Sequence, residues 1–227
     1  MKQLVLDLIP TPAPSFDNFV VGRNAEARNA LLGTACQSPP AKVIYLWGVS
    51  GCGKSHCLAA VAAQCGQPSS NLDTQDGEST LAATAQVLDP AIVLYDDVDR
   101  LNDDAQIALF NAINLRANKA GSCVLVAGQS APRDLRLRPE LTSRLGSGLV
   151  FQLHPLTDAE KAVALNMHAA ARGFALPDDV INYLLRHSRR DMASLIAMLD
   201  ALDHHSIETG REITLPLLKQ LSQPPLI

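Results

Sequence analysis

The chain has 227 residues, of which 47% are hydrophobic, so it can form a core in one moderate domain, or in a larger domain with a small second one. Its formal net charge of −4 argues against a broad nucleic-acid-binding surface, though not against a local basic patch. Five scattered cysteines without a C-x-x-C pair are typical of reduced thiols and argue against a disulfide or zinc framework. Without a signal peptide or a run of ~20 apolar residues, we expect a soluble, cytoplasmic protein that does not enter a membrane.

The first fourteen residues differ from the rest of the chain. The segment from Gln3 to Leu8 alternates apolar and polar residues, and three prolines follow at Pro10, Pro12 and Pro14. Proline removes backbone donors and disfavours helix, so residues 1–14 are predicted to be an extended tether.

Strands alternate with helices in residues 15–154, which predicts an α/β domain with a parallel sheet flanked by helices. The predicted strands are 42–47, 91–95, 122–127 and 149–153, and the predicted helices are 24–35, 54–64, 103–116 and 136–144. Asn24 is the predicted N-cap of the first of these helices. We place no strand in the polar stretch 67–79. Four helical patterns, at 157–172, 177–187, 190–205 and 214–221, predict a small all-α domain over 155–227. Thr157–Glu160 fits a capping box at the start of the first pattern, and Gly173 fits the glycine that ends it.

The segment after the first predicted strand fits the P-loop pattern G-x-x-x-x-G-K-[ST] at every position. Its glycines let backbone N–H groups converge on phosphate oxygens, and the following helix adds its positive end, so a chance glycine turn is the poorer alternative. We expect Lys54 to reach the β- and γ-phosphates and Ser55 to bind Mg²⁺. The predicted nucleotide-binding residues are Gly48, Val49, Ser50, Gly51, Cys52, Gly53, Lys54 and Ser55.

Two carboxylates end the second predicted strand. An acid at the carboxyl edge of a parallel sheet lies beside the P-loop and can hold Mg²⁺. Asp96 is therefore predicted on the metal side, and Asp97 is predicted to polarise the attacking water. The alternative is a solvated turn at the end of a strand.

Three more polar residues occupy informative positions. Gln129 follows the third strand, where it could orient water between the phosphate-binding strands, but an ordinary loop glutamine is the simpler interpretation. Arg144 precedes the last strand and Arg190 opens a tail helix. A guanidinium suits phosphoryl charge in both places, whereas composition alone favours surface salt bridges.

The order of these motifs resembles that of the AAA+ family, in its branch related to the replication initiator DnaA. The segment Ser15–Asn24 is similar to the start of the DnaA nucleotide domain, and Ser143–Leu145 and Arg190–Met192 follow the P-loop and acid pair in the family's order. The resemblance runs from about Ser15 to the end and implies an AAA+ sheet domain followed by a helical lid. It leaves no room for the C-terminal DNA-binding domain of DnaA, so we expect a short homologue.

The resemblance also implies roles for single residues. Val20 and Val21 would lie near the adenine, and Gln129 would occupy the sensor 1 position. Arg144 would be an arginine finger that serves the nucleotide of a neighbouring subunit, and Arg190 would be sensor 2. A glutamine departs from the acidic or Asn-like residue usual at sensor 1, so we expect weak ATP hydrolysis by this chain itself.

The partners follow from the same resemblance. An extended segment with Gln3, Leu4, Leu6 and Leu8 can dock in a groove, and it is similar to a peptide that binds the β subunit of DNA polymerase III, the sliding clamp. A frayed terminus or an edge strand are the alternatives. The implied function is negative regulation of replication initiation. The chain would bind ADP or ATP with Mg²⁺ and contact DNA mainly through the clamp. It would stimulate the hydrolysis of ATP bound to DnaA. Two alternative functions are a self-contained ATPase or loader of the DnaA/DnaC type and a non-catalytic adaptor between the clamp and DnaA. A homo-oligomer is also possible.

Overall fold

The structure is a computed structural model that describes residues 12–36, 39, 41–66, 91–189 and 191–222. The chain divides into two compact units, one of Pro14–Pro155 and one that holds the residues from Leu156 onward. The first unit contains strands and helices, and the second contains helices only.

The first unit is built on a parallel sheet. Four strands are described, in the order β2-β3-β1-β4: β1 (Val43–Trp47), β2 (Ile92–Tyr95), β3 (Cys123–Gly128) and β4 (Leu149–Gln152). β1, β2 and β3 are apolar nearly throughout and buried on both faces, as parallel strands between helical layers must be. The predicted parallel sheet is therefore confirmed.

Helices cover both faces of this sheet: α1 (Ala25–Ala35), α2 (Lys54–Gln64), α3 (Asp103–Ala117) and α4 (Pro139–Gly146). Alternate residues of β1 face opposite layers. Leu46 shares a cluster with Leu58 of α2, whereas Tyr45 shares the other cluster with Leu109 of α3 and Leu145 of α4.

The second unit is the predicted all-α lid. Its helices are α5 (Asp158–Ala171), α6 (Asp178–His187), α7 (Met192–Thr209) and α8 (Leu215–Ser222), around a leucine-rich core. α5 begins with the expected capping box, in which the Glu160 N–H donates to Thr157 Oγ1 (3.3 Å) and the Thr157 N–H donates to Glu160 Oε2 (2.7 Å). Gly173, at φ 84°, ends it in the left-handed conformation.

A buried polar network joins α5 to α7, and the sequence patterns did not predict it. Arg172 Nε donates to Asp203 Oδ2 at 2.8 Å, with both side chains at least nine-tenths buried. His168 Nε2 lies 2.7 Å from Asp200 Oδ1. Because a buried charge without a partner is costly, this network fixes how the two helices pair.

Two local predictions need correction. The helix predicted over 136–144 begins instead at Pro139, since proline suits the first helical position and Arg138 before it is extended. Asn24 precedes α1, but its side chain makes no capping hydrogen bond. The stretch 67–79 lies outside the described residues. Within the described chain, no helix is long and apolar enough to cross a membrane.

Candidate functional site

The P-loop joins β1 to α2 and depends on its glycines. A Cβ on Gly48 would lie 2.4 Å from the carbonyl oxygen of Leu153 and 2.9 Å from Cys52 Sγ, so no side chain fits there without a backbone shift. Gly53, directly before α2, has φ 102°, which disfavours any residue with a side chain. These constraints hold the loop tightly between β1 and the end of β4.

The first turn of α2 has backbone N–H groups without side-chain partners, the arrangement that binds anions in other proteins. No side chain caps its backbone N–H groups, which leaves them and the positive end of the helix dipole available to phosphate. Lys54 is buried, and its Nζ donates to the carbonyl oxygens of Gly48 (2.8 Å) and Val49 (3.2 Å). Its ammonium therefore lies over the loop whose N–H groups would cradle the phosphates.

The structure brings the two residues predicted to bind Mg²⁺ together. Asp96 follows β2 and is buried, and its carboxylate hydrogen-bonds with the side chain of Ser55 and accepts from the Asp97 N–H at 2.9 Å. Burial raises the pKa of Asp96, and the Ser55 hydrogen bond opposes that shift. A carboxylate and a hydroxyl are hard oxygen ligands that suit Mg²⁺ when phosphates complete its coordination. No group of three or more His, Cys, Asp or Glu residues in the described part of the chain could hold a metal.

Asp97 has an unusual backbone for a residue with a side chain. Its φ is 47° and its ψ 45°, in the left-handed region that aspartate tolerates better than most residues. The half-buried carboxylate lies 3.8 Å from the Arg100 guanidinium. The role predicted for Asp97, to polarise water, remains a prediction.

Gln129 follows β3, the strand between β1 and β2, as the sequence led us to expect. Its backbone N–H donates to Asp99 Oδ2 at 2.6 Å, while the Tyr45 hydroxyl donates to the Ser130 carbonyl at 2.7 Å. A Cβ on Gly128 would lie 2.2 Å from that hydroxyl oxygen. Tyr45 and Asp99 thus fix the exit from β3, and the side chain of Gln129 is left exposed.

The segment that contains Val20 and Val21 packs beside the P-loop. The centroids of the Phe19 and His56 rings lie 5.6 Å apart. A Cβ on Gly53 would lie 3.2 Å from the Phe19 ring. Burial lowers the pKa of His56, although its contact with a backbone carbonyl opposes the shift. Val20 and Val21 themselves are half-buried, and their proximity to adenine stays a prediction.

A second anchor of this segment was missed from the sequence. Asn24 Nδ2 donates to the His154 carbonyl (3.0 Å), and the His154 N–H donates to Asn24 Oδ1 (2.8 Å). These two bonds clip the start of α1 to the chain that leaves β4. In the sequence, an asparagine that caps a helix cannot be distinguished from one that bonds to a distant backbone. The two partners are 130 residues apart, so no local pattern predicts this pair of hydrogen bonds.

Arg144 lies in the last turn of α4 with an exposed side chain, and no carboxylate of the described residues pairs with it. Gly148, four residues later, lies against Val43 at the beginning of β1, since its Cβ would be 2.2 Å from the Val43 carbonyl oxygen. Arg144 is thus near the amino edge of the sheet, whereas the P-loop is at the carboxyl edge. Arg190 and residues Gln3–Leu8 lie outside the described residues.

Two family models match the chain, one in each unit. The model of the ATPase family associated with various cellular activities (AAA) matches residues 44–153, from β1 through the end of β4. The model of the Hda lid domain matches residues 158–221, which are the four helices of the second unit.

Solved structures with the same fold include replication proteins. Domain III of the Thermotoga maritima replication initiation protein DnaA is 24% identical, with a TM-score of 0.75, over 94% of this chain and 100% of that one. AMPPCP-bound DnaA from Aquifex aeolicus is 19% identical (TM-score 0.66; 89% and 68% covered). The Thermotoga maritima RuvB Holliday junction branch migration motor is also 19% identical (TM-score 0.67; 92% and 71% covered).

Proposed function

We propose that the chain is a DnaA-related AAA+ protein and a negative regulator of replication initiation, like the DnaA regulatory inactivator. The match of residues 44–153 to the AAA model and of residues 158–221 to the Hda lid model supports this proposal, as does the fold shared with DnaA domain III. In this proposal it binds ADP or ATP in its own P-loop and presents Arg144 to ATP bound by DnaA. The hydrolysis that matters then takes place on the partner.

The residues at the P-loop support nucleotide binding. Lys54 and the first turn of α2 supply positive charge and N–H donors for phosphates, and Ser55 and Asp96 supply oxygen ligands for Mg²⁺. The bound metal would neutralise phosphate charge. Phe19 and His56 would seal the side of the loop against which they pack.

The position of Arg144 is the observation that carries the proposal. The end of α4 lies at the amino edge of β1, and the P-loop follows the carboxyl edge. Four residue steps of ~3.3 Å along β1 separate these edges by about 13 Å, which exceeds the reach of an arginine side chain. An exposed, unpaired guanidinium at that distance cannot serve the chain's own phosphates within this unit, so it favours a role in trans.

Recruitment would use the N-terminal peptide. We propose that Gln3, Leu4, Leu6 and Leu8 dock on the DNA polymerase III sliding clamp in the cytoplasm, so that DNA is met mainly through the clamp. The prolines that follow would space the peptide from the AAA+ domain.

The decisive experiment measures hydrolysis of radiolabelled ATP bound to DnaA, in the presence of DNA-loaded clamp and this protein. An arginine finger supplied in trans is worth ~10³–10⁵ in the hydrolysis rate of GTPases, so Arg144→Ala should lose nearly all stimulation. Arg211→Ala, which removes another exposed arginine, is the matched control and should retain it.

Two further variants separate the rival functions. Stimulation that survives in Arg144→Ala while Gln3→Ala with Leu6→Ala abolishes it would identify an adaptor and overturn the arginine-finger mechanism. Rapid ATP turnover by the isolated protein, lost in Lys54→Ala, would identify a self-contained ATPase instead.

A further inference from the structure

An apolar groove of about 640 Å³ lies in the AAA+ unit between α4, β4 and the loop that follows β3. We call it the α4 groove. Its walls are mainly apolar, and they include Ala131, Pro132, Leu135, Leu137, Gly146 and Val150. Val150 is 37% exposed on the edge strand β4, so part of this apolar surface faces solvent.

One residue that lines the α4 groove carries a buried polar atom without a partner. Thr142 lines it, and its Oγ1 is buried yet makes no hydrogen bond within the described structure. A buried hydroxyl without a partner is unfavourable, and native structures usually satisfy such groups. The unpaired hydroxyl is a second indication that the packing of this surface is completed by a partner.

The α4 groove and Arg144 flank the same exposed ridge of α4. Pro139, Ser143 and Gly146 are spaced i, i+4 and i+7, so they lie on one helix face, and all three line the groove. Arg144 follows Ser143 by one position, roughly 100° around the helix. A partner that covers the ridge therefore meets the groove on one side and Arg144 on the other.

The charge of this region differs from that of the whole chain. Residues 131–146 carry four arginines and two acidic residues, although the chain has a net charge of −4. Arg136 is exposed, and Arg133 and Arg138 make only exposed ion pairs of 3.5 and 4.0 Å with Asp134 and Asp103. Such a basic rim complements a surface that carries bound triphosphate.

We propose that the α4 groove receives an apolar side chain from the ATP-bearing AAA+ subunit whose nucleotide Arg144 reaches. The inference rests on the proposed function and adds the contact that selects and aligns the partner. Apolar anchors in desolvated pockets dominate protein–protein affinity, while a nearby charge governs orientation. The groove sets how tightly the partner binds, and Arg144 sets how fast its ATP is cleaved.

The test fills the groove without straining the backbone. A Cβ on Gly146 would lie 3.7 Å from Pro132 Cβ, which is ordinary contact, so a side chain at this position meets no close neighbour at its Cβ. The control is Val163→Lys, at an exposed valine of α5 that does not line the groove, and it should behave like wild type. Gly146→Leu extends into the groove and should raise the concentration of this protein needed for half-maximal hydrolysis by at least about tenfold. The rate at saturation should stay at the wild-type value, as should binding of ADP by the variant.

Val150→Lys changes a groove residue on β4 instead of α4. It should also raise the concentration of this protein needed for half-maximal hydrolysis, which gives an independent test of the groove. If both variants bind ATP-loaded DnaA as the wild type does while Arg144→Ala is inactive, the groove proposal is wrong and the proposed function stands. If Arg144→Ala is fully active but the two groove variants bind poorly, the arginine-finger function fails and the interface stands.

Discussion

The exit from β3 allows the most exacting prediction. Gly128→Ala places a Cβ 2.2 Å from the Tyr45 hydroxyl oxygen and 2.9 Å from Asp99 Oδ2, so that hydroxyl must leave the Ser130 carbonyl. Overpacking costs ~1–3 kcal/mol and a lost buried hydrogen bond ~0.5–1.5 kcal/mol. We therefore expect Gly128→Ala to lower the free energy of unfolding by about 2–4 kcal/mol.

A second substitution should relieve part of this cost. Tyr45→Phe alone removes the same hydrogen bond and should cost about 1 kcal/mol. In the double variant the closest contact is gone, so its cost should fall short of the sum of the single costs by about 1–2 kcal/mol. Urea unfolding followed by circular dichroism at 25 °C measures all three, with Gly146→Ala as a methyl-addition control. Additivity within about 0.5 kcal/mol would refute the geometry argued for Gly128.

The remaining predictions concern three other places in the chain. Asn24→Ala removes both hydrogen bonds to the backbone of His154 and should cost about 2–3 kcal/mol in urea unfolding, and an unchanged midpoint would contradict the clip. Thr157→Ala breaks the capping box of α5 and should cost about 1 kcal/mol, whereas Thr157→Ser should restore most of it. Burial raises the pKa of Cys57 to about 12, so at pH 8 its thiolate fraction is about 10⁻⁴, over 10³-fold below that of an ordinary thiol. Iodoacetamide should therefore label the exposed Cys36 rapidly and Cys57 only when the chain unfolds; equal rates with native protein would be inconsistent with this burial.

The sequence predicted those parts of the fold that local patterns encode. β1, β2 and β3 are apolar runs between turn residues, so each was located within about a residue of its observed bounds. α4 was predicted three residues early because helical periodicity alone did not account for Pro139 as a starting residue.

Contacts between distant residues were beyond such patterns. Asp99 meets Gln129 across 30 residues, and Arg172 meets Asp203 between two helices, yet all four residues look like surface polar groups in sequence. The P-loop motif was informative because it specifies a backbone shape as well as a composition. The argument that Arg144 acts in trans depends on its position at the amino edge of the sheet, and only the three-dimensional structure shows that position.

The bonds that Lys54 makes with its own loop affect how any binding measurement is interpreted. Its ammonium already has two carbonyl acceptors, on Gly48 and Val49, so a phosphate must compete with these intramolecular ligands. The affinity lost in Lys54→Ala is then the difference between two sets of interactions, and it understates the strength of the lysine–phosphate contact. The same bonds keep the loop folded before the nucleotide arrives, so that little ordering entropy remains to be lost on binding.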